Sequence, residues 1–199
     1  MTLTLTLASS SRIRRILLEN ANLRVEVKPA QVDEEAIRQA LQAERASPRD
    51  IADTLAEQKS LRISRKVPGA LVLGCDQVLD LDGRILSKPQ SPDDARNQLA
   101  DLRGRRHDLL SAAVICRDGE PIWRYVGVAH MTMRDLSDAW INAYVDRNWP
   151  TICESVGAYQ LESEGVRLFS RVEGDYFTIL GLPLLDLLSF LIGRGDLPT

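Results

Sequence analysis

The chain has 199 residues, and 25 Lys plus Arg against 28 Asp plus Glu give a formal net charge of −3. At 44% hydrophobic and 27% charged it has the composition of a globular chain with a core to bury, which excludes a disordered one. Near-neutral charge and 5% aromatic content exclude a broad basic nucleic-acid surface with stacking rings, while leaving room for a local anion site.

The opening residues, Met1-Thr-Leu-Thr-Leu-Thr-Leu-Ala8, alternate apolar and polar without a basic start. They predict a strand over Leu3 to Ala8 rather than a leader peptide. Ser9-Ser10-Ser11 then opens a helix with Ile13, Ile16 and Leu17 on one face. A short strand is expected near Val25 to Val27, and Asp33 begins a helix carrying Ile37 and Leu41. Ser47-Pro48-Arg49-Asp50 combines a capping serine, a first-turn proline and an acid three residues after the cap, and predicts a helix to about Arg65. Ala70 to Cys75 reads as a buried strand, and Val78 to Leu86 as a hairpin turned at Asp82-Gly83. Ser91-Pro92 starts a helix that turns Ala95, Leu99 and Leu102 inward. Long strands are expected over Asp108 to Cys116 and Ile122 to Met133, joined at Asp118-Gly119. Ser137 caps a helix to about Arg147; short strands follow Gly157, and a last helix spans Leu182 to Ile192. With neither repeat nor linker, residues 1–199 read as one α/β domain with a mixed sheet. The most apolar stretch, Ile179 to Gly193, carries Pro183 and Asp186 and falls short of the roughly 18 residues a membrane span needs. Three cysteines without C-x-x-C spacing and only two histidines offer no usual zinc set and fit a reducing, cytoplasmic setting.

Four places carry candidate chemistry. At the serine turn, free amides, hydroxyls and the positive end of a helix dipole could hold an anion, yet Arg12, Arg14 and Arg15 lie within a turn of it. Cations there oppose the dipole, a misfit expected where an anion is bound, although plain serine capping with solvated arginines accounts for it too. Setting Ile51 at 0° on a helical wheel, Lys59 falls at about 80°, inside the arc of Leu55, Ala52 and Ala56. It must snorkel out or meet an anion. Gly74-Cys75-Asp76-Gln77 puts a carboxylate at the end of a buried strand, where it could bind a metal, act as a base or cap a turn. Lys88-Pro89 adds a cation on a restrained backbone. Glu162, in a strand-like stretch, and the pair Asp33-Glu34 are further acids that could hold Mg²⁺ or remain exposed. Jointly these are cations and donors for a polyphosphate, with acids for a metal and a water.

The same residues resemble, in order and over nearly the whole chain, the Maf family of nucleoside triphosphate pyrophosphatases. The resemblance runs through Leu7-Ala-Ser-Ser-Ser11 with Arg14-Arg15, Val32-Asp33-Glu34, Lys59, Gly74-Cys-Asp76-Gln77, Leu81-Asp-Gly83 and Lys88-Pro89. It continues through Leu102-Arg-Gly104, His107, Gly157-Ala-Tyr159, Glu162-Ser-Glu-Gly165, Glu173-Gly174 and Gly181-Leu-Pro183-Leu. It implies an elongated mixed-sheet fold of two lobes around a cleft, often dimeric, that hydrolyses a nucleoside triphosphate to monophosphate and pyrophosphate with Mg²⁺ or Mn²⁺. It further implies Asp76 as the base that activates water, with Ser9, Arg14, Arg15, Lys59 and Lys88 on the phosphates. Asp76, Glu162, Asp33 and Glu34 would lie toward the metal. At three specificity positions the branch acting on dTTP and UTP typically has Arg, Thr and Gln, and the branch acting on 7-methyl-GTP has Trp, Gln and Glu. Ile13, Gln77 and Glu162 match the second at two of three. Ile13 cannot stack on a purine as tryptophan can, and Ser87 stands where the family usually has glycine. The rival expectation is a nucleotide-binding regulator of cell division without turnover.

Overall fold

The computed structural model describes residues 3–198; Met1, Thr2 and Thr199 lie outside the described residues. Among the described residues there are seven strands and seven α-helices, intermingled along the chain: β1 Thr4–Leu7, α1 Arg12–Asn20, β2 Arg24–Val27, α2 Glu34–Ala43, α3 Pro48–Ser64, β3 Leu71–Leu81, β4 Arg84–Leu86 and α4 Pro92–Leu102. After them come β5 Arg106–Arg117, β6 Glu120–Met133, α5 Asp138–Asn148, β7 Phe169–Glu173, α6 Tyr176–Ile179 and α7 Leu184–Gly193. The sheet is mixed and open, ordered β2-β1-β3-β5-β6-β7, with β4 on the free edge of β3. β1 is parallel to β2 and β3, and the other pairings are antiparallel. Among the described residues no helix is long and apolar enough to cross a membrane.

The helix starts follow from their caps. Ser11, Asp33, Ser47, Ser91 and Ser137 each accept a hydrogen bond from the amide three residues on, satisfying a donor that the first turn leaves free. At the β5–β6 hairpin Asp118 and Gly119 both have positive φ, as a two-residue turn that matches strand twist requires.

Two expectations are corrected. Asp76 does not end a strand: β3 is one continuous element of 11 residues, and Asp76 sits in its middle, paired in register with Ala112 of β5. A buried carboxylate is tolerated there because a cation meets it. Around Gly157 the chain forms three 3-10 segments, Thr151–Glu154, Val156–Ala158 and Glu164–Leu168, and among the described residues only one strand, β7, comes after that glycine. Glu162 therefore lies in an exposed turn rather than a strand.

Strand β3 organises the molecule. Its residues 72–80 pair continuously with β5 on one edge. Its other edge pairs with β1 over Leu71, Val72 and Leu73 and with β4 over Leu79, Asp80 and Leu81, so residues 74–78 face a fork without a strand partner. Alternation sends Leu73 and Cys75 into the cluster under α1 and α7, and Leu79 and Leu81 into the cluster under α4 and α5. Gln77 falls between those two clusters. On the opposite face Val78 packs with Ile51, Ala52, Leu55 and Ala56 of α3. Helix α3 sits close because Gly74 has no side chain: a Cβ there would lie 2.1 Å from the Ala56 carbonyl oxygen.

Candidate active site

That close approach builds the centre of the site. Three residues along α3 from Ala56 is a rise of about 4.5 Å, and two residues along β3 from Gly74 is about 6.6 Å. Lys59 and Asp76 thus come face to face, with Lys59 Nζ 2.7 Å from Asp76 Oδ1. Both are nearly withdrawn from water, at 7% and 5% exposure. Lys59 neither snorkels out nor stays bare; the apolar arc of α3 delivers it to a carboxylate. Glu34, in the first turn of α2, reaches the same ammonium at 3.0 Å from a half-exposed position. Asp76 Oδ2 is buried and has no hydrogen-bond partner. An orphaned buried carboxylate oxygen is costly unless a ligand, water or cation meets it.

The serine turn supplies the second group. Ser11 Oγ accepts from the Arg14 amide at 3.5 Å, and Ser9 Oγ accepts from the Ser11 amide at 3.2 Å. Arg14 leaves the helix axis for the fork: its Nε donates to the Gly181 carbonyl at 2.7 Å, and Nη1 to the Cys75 carbonyl at 3.0 Å and Ser9 Oγ at 3.3 Å. Three protein acceptors thus hold two of its nitrogens, leaving Nη2 without a protein acceptor among the described residues. The three arginines are therefore not equivalent. Arg12 is exposed, and Arg15 turns to Glu19 one helical turn on, at 3.7 Å and half-exposed. Arg15 shares no hydrogen bond with Ser9 or Asp76 among the described residues, so the structure does not bring it together with Arg14. Ile13 packs its side chain against the cluster under α1 and α7.

The expected acidic set is not gathered either. Of Asp33, Glu34, Asp76 and Glu162, only Glu34 and Asp76 meet, through Lys59. Asp33 is the helix cap of α2, accepting from the Ala36 amide at 3.0 Å. No cluster of three or more His, Cys, Asp or Glu side chains placed to hold a metal occurs among the described residues. Lys88 is exposed and borders a groove shared with Glu35, Ser87, Gln90, Asp94 and Gln98.

Gln77 reaches the same fork from the other face of β3. Its Nε2 lies 2.9 Å from the Ile179 carbonyl, 3.3 Å from the Thr178 carbonyl and 3.0 Å from Ser111 Oγ. Neither Ser111 nor the carbonyls of residues 178–181 stood out in the sequence, because a main-chain oxygen carries no residue-type signal. The motif Gly181-Leu-Pro183 was the only available clue. Cys75, between Arg14 and Lys59, is no nucleophile: burial pushes its thiol up to about 11 despite both cations.

A cation-lined fork with one unsatisfied carboxylate oxygen can bind an anionic substrate and take a proton from water. Known proteins similar to this chain accord with that chemistry. The family model described as Maf-like protein matches residues 4–193. A nucleoside triphosphate pyrophosphatase of Roseobacter denitrificans is 62% identical over 194 residues, 98% of each chain. Another, of Ruegeria pomeroyi, is 56% identical over the whole of both chains. A 7-methyl-GTP pyrophosphatase of Brucella abortus is 48% identical over 96% of each chain.

Proposed function

The chain belongs to the Maf-like protein family, and on that premise we propose that it hydrolyses nucleoside triphosphates to the monophosphate and pyrophosphate. The observation that carries this reading is the half-paired Asp76: Lys59 fixes Oδ1, while Oδ2 is buried with nothing to accept from. A water hydrogen-bonded to Oδ2 is held in one orientation. As its oxygen attacks the α-phosphorus, its proton passes to Oδ2. The bond from the α-phosphorus to the oxygen bridging to the β-phosphorus breaks, and that oxygen leaves with pyrophosphate.

The cations neutralise the charge that moves onto the leaving group, which is most of what phosphoryl transfer asks of a protein. An ammonium has three donors; two of Lys59's go to Asp76 and Glu34, and the third is left for a phosphate oxygen. Arg14 offers Nη2 while its other nitrogens anchor it, so it binds from a fixed position. Lys88, which is exposed, is the further cation that would meet the outer phosphates.

Glu34 and Asp76, the two acids that meet at Lys59, are oxygen donors of the kind that would hold a hard divalent cation such as Mg²⁺ or Mn²⁺. Mg²⁺ typically takes only one or two carboxylates beside substrate phosphates. When bound, the ion would polarise the phosphate oxygens and lower the cost of deprotonating water. For the base, Gln77 and Glu162 favour the 7-methyl-GTP-like pattern.

Asp76→Asn tests the reading. With Mg²⁺ and a panel of dTTP, UTP, GTP and 7-methyl-GTP, pyrophosphate release should fall by at least ~10²-fold, the usual worth of a positioned base. The variant should keep its circular dichroism spectrum. Near-normal turnover would remove Asp76 from this role.

A further inference from the structure

Helix α2 sends two charged side chains toward other parts of the molecule, and the site described above uses only one of them. Glu34 and Arg38 are one helical turn apart and so share a face. Glu34 reaches Lys59 Nζ at 3.0 Å. Arg38 Nη1 donates to Ser87 Oγ at 3.2 Å and to Glu35 Oε2 at 2.7 Å. The Arg38 side chain is 16% exposed, against 59% for Glu35, on a helix that buries none of its residues fully. Its one hydrogen-bond partner outside α2, among the described residues, is the residue that precedes Lys88.

Ser87 and Lys88 both line the groove that Glu35, Gln90 and Asp94 border. The segment that carries them joins β4 to α4 without regular structure, so its position depends on tethers. Its far end has them. The Gln90 amide donates to Asp94 Oδ2 at 2.9 Å, Gln90 Nε2 donates to the Lys88 carbonyl at 3.0 Å, and Pro89 fixes its own φ. At the near end the side-chain tether is the Ser87 hydroxyl on Arg38. A glycine at that position, as the resembling pattern usually has, would offer Arg38 no hydroxyl to bond.

We propose that Arg38 is a positioning residue for Lys88: through the Ser87 hydroxyl it fixes the backbone from which Lys88 meets the outer phosphates. This rests on the triphosphate reading above and adds a residue to it. Glu35 meets the charge of Arg38, so the guanidinium serves as a fixed donor to the loop rather than as a phosphate ligand. Holding Lys88 in place before the ligand arrives removes an ordering cost from binding. The effect therefore falls on affinity and leaves the chemistry at Asp76 unchanged.

Calorimetry with inorganic pyrophosphate and Mg²⁺ reads the Lys88 side of the groove without turnover. Ser87→Ala and Arg38→Met should each weaken pyrophosphate binding about fivefold, the net worth of one hydrogen bond. The double variant should bind no more weakly than either single one. Ser87→Thr, which keeps a hydroxyl, should bind as the wild type does. Lys88→Met should weaken binding, and adding Arg38→Met to it should change nothing further. With the nucleotide turned over fastest, Ser87→Ala and Arg38→Met should raise KM by the same factor and leave kcat within about twofold. Multiplying effects of the two changes, or an effect of Arg38→Met that persists beside Lys88→Met, would mean that Arg38 acts on the ligand or the fold directly, and would overturn the proposal. Pyrophosphate binding that Lys88→Met leaves unchanged would overturn it as well. Nucleotides left uncleaved while pyrophosphate binding follows the expected pattern would instead defeat the hydrolase reading and support this one.

Discussion

Replacing Lys59 with methionine isolates the interaction on which the site is built. Lys59 and Asp76 are 2.7 Å apart, and both are more than nine-tenths buried. At that separation and an effective dielectric near 20, their attraction is about 6 kcal/mol. Withdrawing both ions from water offsets much of it, so the pair's net worth is far smaller than the attraction. The single change is another matter, because it strands a carboxylate whose second oxygen already lacks a partner. Lys59→Met should therefore cost about 3 kcal/mol. Asp76→Asn should cost less, about 1–2 kcal/mol, since an amide oxygen still accepts from the ammonium and Glu34 still shares its charge. The double variant leaves no buried ion and should be more stable than the sum of the singles implies, by about 2 kcal/mol. Urea unfolding at pH 7 on all four proteins measures this coupling. Additivity within about 0.5 kcal/mol would mean that the two groups do not interact as described, and would refute the argument that Lys59 fixes Asp76.

Three further outcomes are expected. His107 is 2% exposed, with Nε2 2.7 Å from the Tyr159 hydroxyl, and burial lowers its pKa to about 4. A group whose folded pKa lies below its unfolded value of about 6.5 stabilises fully above 6.5; about 3 kcal/mol should be lost as pH falls from there to about 4. His107→Gln should flatten that slope in urea titrations run at pH 7 and 4.5. Gly74→Ala drives a methyl against the Ala56 carbonyl and the Ser60 amide, at 2.1 and 2.6 Å. It should lower the melting temperature by several degrees, for a cost of about 1–3 kcal/mol, and weaken activity as Lys59 is pushed off Asp76. Chelation by EDTA should abolish pyrophosphate release, and added Mg²⁺ or Mn²⁺ should restore it, with turnover as the readout.

Much of the helical frame was legible because its signals are local. Ser11, Asp33, Ser47, Ser91 and Ser137 mark their helices through a hydrogen bond to a neighbouring amide, and each does so in the structure. Periodicity alone puts Lys59 inside the apolar arc of α3, but not whether it snorkels out or meets an anion; its burial against Asp76 is a tertiary outcome. The strand-like stretch expected around Glu162 does not form, because the chain commits its hydrogen bonds there to short turns, and β7 begins only at Phe169. The break expected after Cys75 failed for the opposite reason. A charged residue normally ends a buried strand, and no local pattern could reveal that a lysine 17 positions earlier would meet it.

The division between sequence and tertiary structure comes from the range of the interactions. Composition, caps, alternation and the ordered motifs determined the mixed α/β class, the family resemblance and the residues to watch, since each depends on neighbours within a few positions. Only the folded chain decided which of those residues meet. It sends Arg14 to the carbonyls of Cys75 and Gly181 and leaves Arg15 with Glu19. It also makes Asp33 a cap while Glu34 reaches Lys59. Those assignments depend on a fork in one edge of β3 and on the side chain that Gly74 lacks. Both bring together groups far apart in sequence through backbone atoms that every residue shares.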